Sequence, residues 1–182
     1  MTYDKILDDG RLWSVQYEGD NFNALQMLFD QWEDPMWLRD FFLKNIDDLS
    51  SYFKITDVNK AIFDTLEDRE KLQCLILDIS PDADLDKLFR PLDNNRTQEM
   101  LLGKEKARLK NTPRHASWLR IYAIKLEPGI YIVTGGAIKL TATMQEREHT
   151  LKELEKMEKV RTHLLEQNIV DADAFVDYLT EL

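Results

Sequence analysis

The sequence LLGKEKARLKNTPRHASWLRIYAIKLEPGIYIVTGGAIKLTATM, residues 101–144, decides the fold of this chain. It contains the only long run rich in β-branched and aromatic residues, which favour strands. The Glu-Pro-Gly tripeptide at 127–129 divides this run, because proline presets one turn angle and glycine tolerates positive φ. We therefore predict a hairpin with strands over residues 118–124 and 130–134.

The same stretch carries most of the concentrated positive charge. Residues 101–140 hold eight Lys or Arg residues against two acidic ones, a net charge of plus six. The whole chain has 24 Lys+Arg and 34 Asp+Glu, a net charge of −10, and residues 1–100 contribute 11 basic against 22 acidic residues. We therefore expect a basic sheet, able to attract phosphate groups, within an acidic protein.

One cation stands inside the first strand of the predicted hairpin. Side chains alternate along a strand, so Arg120 shares a face with Trp118 and Tyr122. Its neighbours are apolar, and an unpaired buried charge is expensive. Arg120 should therefore have a partner within the chain or face a ligand.

Length and composition indicate one domain. A chain of 182 residues that is 43% hydrophobic can build a single core. No apolar run approaches the roughly 18 residues of a membrane span, and the first residues lack the pattern of a signal peptide. We expect a cytoplasmic protein with no membrane partner. The single cysteine, Cys74, excludes an internal disulfide and is expected to be a small buried residue.

Outside the basic stretch, hydrophobic periodicity predicts mostly helices. The predicted elements are a strand over 12–17, helices over 21–32 and 35–45, a polar break at 47–48, one or two helices over 55–79, and helices over 145–167 and 171–182. This pattern indicates one α+β domain over residues 1–182. Its parts are an acidic strand and helical portion (1–92), a basic sheet (93–144) and C-terminal helices (145–182).

Four segments, followed by a charged helix, occur in an order that resembles the RelE/HigB superfamily of toxins. They are LFRPL at 88–92, GKEKARL at 103–109, WLRIYAI at 118–124 and GIYIVTGGAIKLT at 129–141. In that superfamily a strand with spaced cations, a strand with an arginine, a hairpin and a final helix follow one another. The resemblance extends over about residues 88–161.

The resemblance implies a small, curved antiparallel sheet flanked by helices. It also implies endonucleolytic cleavage of messenger RNA, generally on the ribosome. In the family the RNA 2′-hydroxyl attacks the adjacent phosphate, so neither a metal nor another cofactor is expected. The expected partners are mRNA, the ribosome and a small helix-turn-helix antitoxin that covers the basic sheet.

Carried over by position, the resemblance assigns four residues to catalysis. Lys104 and Lys106 are similar to the paired strand cations that contact the phosphate backbone and serve in acid–base work. Arg120 is similar to the arginine that stabilises the charged phosphorane, and Lys139 resembles the basic residue at the end of the last strand. Removing one preorganised donor of this kind costs on the order of a hundredfold or more in rate.

Four further residues of the basic stretch are candidate RNA contacts: Arg108, Lys110, Arg114 and His115. His115 is also the natural proton carrier near neutral pH. The alternative for each of these residues is an ordinary solvated surface position.

Two other functions stay open on the sequence. A noncatalytic protein-interaction module would keep the fold and use its apolar helices and acidic portion to bind another protein. A binder of anionic ligands would use the same basic face. An adjacent helix-turn-helix reading frame would favour the toxin, and its absence would favour the interaction module.

Overall fold

The computed structural model describes residues 1–77, 84–92, 100–110 and 112–182. The strands are β1 (Thr2–Lys5), β2 (Leu12–Gln16), β3 (Phe89–Pro91), β4 (Gly103–Ala107), β5 (Leu119–Glu127) and β6 (Ile130–Ile138). The helices are α1 (Ala24–Glu33), α2 (Pro35–Lys44), α3 (Ile46–Phe53), α4 (Val58–Leu77), α5 (Leu85–Leu88), α6 (Glu148–Glu166) and α7 (Ala172–Glu181). A short 3-10 helix, Met144–Glu146, precedes α6.

The strands form one open sheet in the order β1-β2-β6-β5-β4-β3. The α+β class is confirmed, but the sheet is mixed rather than wholly antiparallel, because β2 and β6 are parallel. The connection between these two strands includes α1 to α5 and β3 to β5, and its length permits the pairing, since parallel neighbours need a crossover rather than a tight turn. The sheet also reaches beyond residues 93–144, because β1, β2 and β3 precede that range.

The predicted hairpin is formed by β5 and β6. Gly129 adopts a φ of 81° in the turn between them, the conformation for which glycine is suited. The register shifts between Tyr122, which pairs with Gly135, and Ala123, which pairs with Val133. Thr134, the residue between these two pairs, forms a bulge directly before Gly135 and Gly136, and β6 continues through it.

Helices cover both faces of the sheet. On one face α1 to α5 bury a core that includes Leu119 and Ile121, and on the other α6 and α7 bury a core around Tyr122 and Ile124. Trp118 belongs to the first core, so the expectation that it shares the face of Arg120 is wrong. Trp118 precedes β5, so the alternation of side chains along the strand does not extend to it. Its ring packs edge-on against aromatic rings of α2 and α3.

The sequence did not predict α3 or β1. Asp47 and Asp48 lie in the first turn of α3, where carboxylates suit the helix dipole, so the predicted polar break is wrong. The Asp48 carboxylate accepts hydrogen bonds from Nε and Nη2 of Arg147, both at 2.7 Å. This bidentate pair ties α3 to the start of α6 around the end of the sheet.

Helix α4 presents its cysteine outwards. Cys74 is exposed, whereas Leu72 and Ile76 are buried, since residues four apart share a helix face and the residue between them lies opposite. The expectation of a buried cysteine is wrong. Across the four described ranges, no helix is both long and apolar enough to cross a membrane.

Candidate functional site

Four cations from β4, β5 and the end of β6 gather on the α6 side of the sheet. They are Lys106, Arg108, Arg120 and Lys139, here called the basic cluster. Lys106 lies opposite Tyr122 in the β4–β5 register, and the Lys139 backbone N–H donates to the Trp118 carbonyl just before β5. Burial lowers the pKa values of Lys106, Arg120 and Lys139, and the nearby charge of Arg108 adds to each shift.

A groove of about 1180 Å³ adjoins the basic cluster. It runs from residues 142–145 and Leu154 of α6, past Lys139, Tyr122 and Lys106, along β4 to β3. The floor is the sheet, and the segment between β6 and α6 forms one wall. The site is therefore concave and presents ammonium groups to whatever occupies it.

Arg120 is only 8% exposed. Its Nη1 donates to the carbonyl oxygens of Ser117 at 2.6 Å and Leu119 at 2.9 Å. Burial lowers the pKa of the guanidinium to about 10, with Tyr122 opposing the shift and Arg108 adding to it, so Arg120 stays charged at neutral pH. Within the described ranges neither Nε nor Nη2 has a hydrogen-bond partner. Main-chain carbonyl oxygens thus accept the hydrogen bonds of Nη1, and Nε and Nη2 are available to donate to a ligand.

The two lysines of the cluster are half-buried. The Lys139 ammonium donates to the Ala142 carbonyl at 2.9 Å, and the Lys106 ammonium lies 3.5 Å from the Leu92 carbonyl oxygen. Burial lowers the pKa of both lysines, and Arg120 adds to each shift. No carboxylate of the described residues pairs with either one. This uncompensated positive charge favours an anionic ligand.

Lys104 differs from Lys106 although the two side chains, two residues apart, leave β4 on the same face. Its ammonium lies 2.5 Å from Glu158 of α6, and this contact lowers the pKa of the Glu158 carboxyl. Glu105, on the opposite face, is buried. The charge of Lys104 is therefore neutralised within the chain, whereas that of Lys106 is not.

The structure does not bring Arg114 and His115 to the basic cluster. The Arg114 guanidinium binds Asp64 at 3.2 Å and Glu67 at 2.7 Å, both on α4. Nε2 of His115 lies 2.9 Å from the Asp64 carboxylate, and the imidazole stacks on Trp118 with ring centroids 4.3 Å apart. These contacts anchor the loop before β5 to the helical layer.

The two remaining candidates follow the basic run out of β4. Arg108 is exposed and makes no hydrogen bond or ion pair within the described part of the chain. Lys110 is also exposed, with its ammonium 3.5 Å from the Lys87 carbonyl oxygen. Arg108 therefore extends the basic cluster towards solvent, and Lys110 lies near the end of α5.

Sequence reasoning missed two buried polar groups near the cluster. The Tyr122 hydroxyl and Oε2 of Glu153 both lack a hydrogen-bond partner among the described residues. Tyr122 resembled an ordinary core aromatic, and Glu153 an ordinary member of a charged helix. One signal was present: Glu153 precedes the buried Met157 by four residues, which puts both on the inward face of α6.

No family model matches this chain, and no curated protein or solved structure matches it. What the site can do must therefore be inferred from its own geometry. That geometry is a concave basic surface with free guanidinium donors and two ammonium groups of lowered pKa.

Proposed function

We propose that this chain is a RelE/HigB-like toxin that cleaves messenger RNA on the ribosome without a cofactor, using the basic cluster. One observation carries the proposal: Lys106 on β4, Arg120 on β5 and Lys139 directly after β6 converge, and none of them forms an ion pair with a carboxylate of the described residues. The Glu146 carboxylate offsets the lowered pKa of Lys139 only in part. Cations held together without ion-pair partners favour binding of a phosphodiester.

Each member of the cluster has a role in the proposed reaction. The RNA 2′-oxygen attacks phosphorus, the bond to the 5′-oxygen breaks, and the 2′-proton must leave while the 5′-oxygen gains one. Arg120 stabilises the charge of the phosphorane with its free donors, and Lys139 binds the phosphate backbone. Lys106 transfers the proton, since burial and two arginines lower its pKa and thereby favour the neutral amine.

The proposed partners follow from the same charge distribution. The net charge of −10 repels RNA at long range, but screening limits that repulsion to about 8 Å at physiological salt, so the local groove dominates at contact. A small antitoxin that covers the groove would neutralise the toxin by excluding RNA.

Induced expression of the wild type in a bacterial host tests the proposal. We expect growth arrest, which Arg120→Ala and Lys106→Ala relieve, and cleavage of ribosome-bound messenger RNA by purified protein that falls about a hundredfold or more in either variant. Lys44→Ala is the matched control, since this lysine is 73% exposed and its ion pair with Asp40 lies on α2, away from the groove. Soluble protein levels must be equal.

A noncatalytic protein-interaction module is the second candidate. Large apolar side chains are exposed on the outer helices, with Met36 of α2 at 75%, Leu43 of α2 at 54% and Phe63 of α4 at 64%. Folded wild-type protein that neither arrests growth nor cleaves RNA would support this candidate and contradict the toxin. Binding of RNA without cleavage would instead support a binder of anionic ligands.

A further inference from the structure

Tyr122 is a buried tyrosine without a hydrogen-bond partner. Its side chain is 0% exposed, and its hydroxyl has no partner among the described residues. It borders the basic groove, opposite Lys106 on β4 and Gly135 on β6. The phenol therefore lies within the site and not in a distant part of the core.

The surroundings of the phenol keep it protonated. Burial raises the pKa of Tyr122, Arg120 opposes the shift, and the Glu153 carboxylate adds to it. Gly135 makes room for that carboxylate, because a Cβ at this position would stand 2.2 Å from Oε2 of Glu153. Near neutral pH the Tyr122 hydroxyl is thus a neutral donor between a guanidinium and a carboxylate.

The hydroxyl does not serve the packing of the core. Buried tyrosine hydroxyls usually have a hydrogen-bond partner, and a buried one without a partner destabilises the folded state. Phenylalanine would fill the same space without that penalty. The Tyr122 hydroxyl borders the groove and has no partner among the described residues, and neither have Nε and Nη2 of the neighbouring Arg120. Such a donor is suited to an acceptor supplied from outside.

We propose that Tyr122 contacts the substrate, its hydroxyl donating a hydrogen bond to a phosphate oxygen of the RNA bound between Lys106 and Arg120. This assignment rests on the proposed function. The Tyr122 hydroxyl is a neutral hydrogen-bond donor that acts in addition to the cations. Its position places the bound phosphate at the floor of the groove, beside β5.

The test uses Tyr122→Phe, with Tyr52→Phe as the matched control because Tyr52 is 50% exposed on α3. The binding probe is a fluorescent single-stranded RNA with 2′-O-methyl groups throughout, which cannot be cleaved by attack of a 2′-hydroxyl. Cleavage is followed on unmodified messenger RNA bound to ribosomes, and folding is followed by the thermal midpoint. We expect Tyr122→Phe to lose about ten- to a hundredfold in affinity or cleavage rate, since hydrogen bonds to charged groups have this strength. Its thermal midpoint should equal or exceed that of the wild type.

Three outcomes would overturn the assignment. If Tyr122→Phe binds and cleaves RNA like the wild type while Arg120→Ala loses both activities, Tyr122 does not contact the substrate. The proposed function would then stand without it. A loss of affinity accompanied by a drop of several degrees in the thermal midpoint would show that the hydroxyl supports the fold. Wild-type protein that neither binds nor cleaves RNA would refute the proposed function and the tyrosine assignment together.

Discussion

Glu153 has a carboxyl group whose charged form is disfavoured by its place in the fold. Burial raises the pKa of Glu153, and the Lys156 ammonium, 2.9 Å from Oε1, offsets the shift only in part. In the unfolded chain the pKa of Glu153 is near 4.5, which is lower than its pKa in the folded protein. Ionised Glu153 therefore lowers stability at neutral pH, and this penalty disappears as the pH falls through the raised pKa towards 4.5.

Glu153→Gln tests the sign of this effect. The amide has the same shape without the buried charge, so we expect the urea midpoint of unfolding to rise at neutral pH. The gain over the wild type should shrink as the pH approaches 4.5. Glu158→Gln is the control on the same helix, because Lys104 lowers the pKa of Glu158 and the substitution should give no gain. A loss of stability in Glu153→Gln at neutral pH would contradict the prediction.

The residue types of the site could be predicted from the sequence. Which of these cations remain without an ion-pair partner, and so can bind a ligand, could not be predicted. Residue type and resemblance to a toxin family identified Lys104, Lys106, Arg120 and Lys139 together. The structure separates Lys104 from the others, because α6 crosses the sheet where Glu158 can reach it. Nothing in the sequence around Lys104 indicates the path of α6.

Among the elements, β6 owes its close packing to glycine. A Cβ on Gly136 would stand 2.4 Å from Cδ2 of Leu28 in α1 and 2.5 Å from the carbonyl oxygen of Arg120 in β5. Helix α1 therefore packs directly onto the strand backbone. The close approach of Gly136 to the Arg120 carbonyl oxygen also restricts the position of the main chain that carries Arg120.

Gly136→Ala should destabilise the protein by about 2–3 kcal/mol, because overpacking against backbone is not relieved by a side-chain rotation. Urea denaturation measures this change. Gly103→Ala is the comparison, since its nearest neighbour would be the Met100 carbonyl oxygen at 3.4 Å, and we expect a change within about 0.5 kcal/mol. Equal stabilities of the two variants would show that α1 can shift away from β6.

Local signals predicted most elements. Asn23 has a residue type that suits a helix N-cap: its side chain accepts a hydrogen bond from the Gln26 backbone N–H at 3.0 Å, and α1 starts directly after it. Pro35 opens α2 as expected of a first-turn proline. The four residues of β1 are too few for a periodic pattern, so only their pairing with β2 defines them as a strand.

At the scale of the whole molecule, a basic groove lies in a chain of net charge −10. In the function proposed above, binding of RNA depends on a few local contacts that salt can weaken. Each phosphate neutralised on a single strand contributes about −0.7 to the slope of log affinity against log salt. Three cluster cations in contact with phosphates therefore give a slope of about −2.

We expect Lys139→Ala to reduce the magnitude of this slope by about 0.7, because one contact with the phosphate backbone is lost. Fluorescence anisotropy with the 2′-O-methyl RNA over a range of NaCl concentrations measures the slope. Lys44→Ala should leave it unchanged. A wild-type affinity that does not depend on salt would contradict phosphate binding by the cluster.

The sequence by itself determined the α+β class, the central hairpin and the concentration of positive charge along β4 and β5. These features depend on residues within a few positions of one another, which is the range of strand alternation, helix periodicity and turn chemistry. Only the tertiary structure decided that β2 joins β6 in parallel and that Asp64 pairs with His115, 51 positions away. It also left the Tyr122 hydroxyl, beside the basic cluster, without a hydrogen-bond partner among the described residues. Such contacts depend on how helices cross the sheet, and no local pattern encodes that geometry.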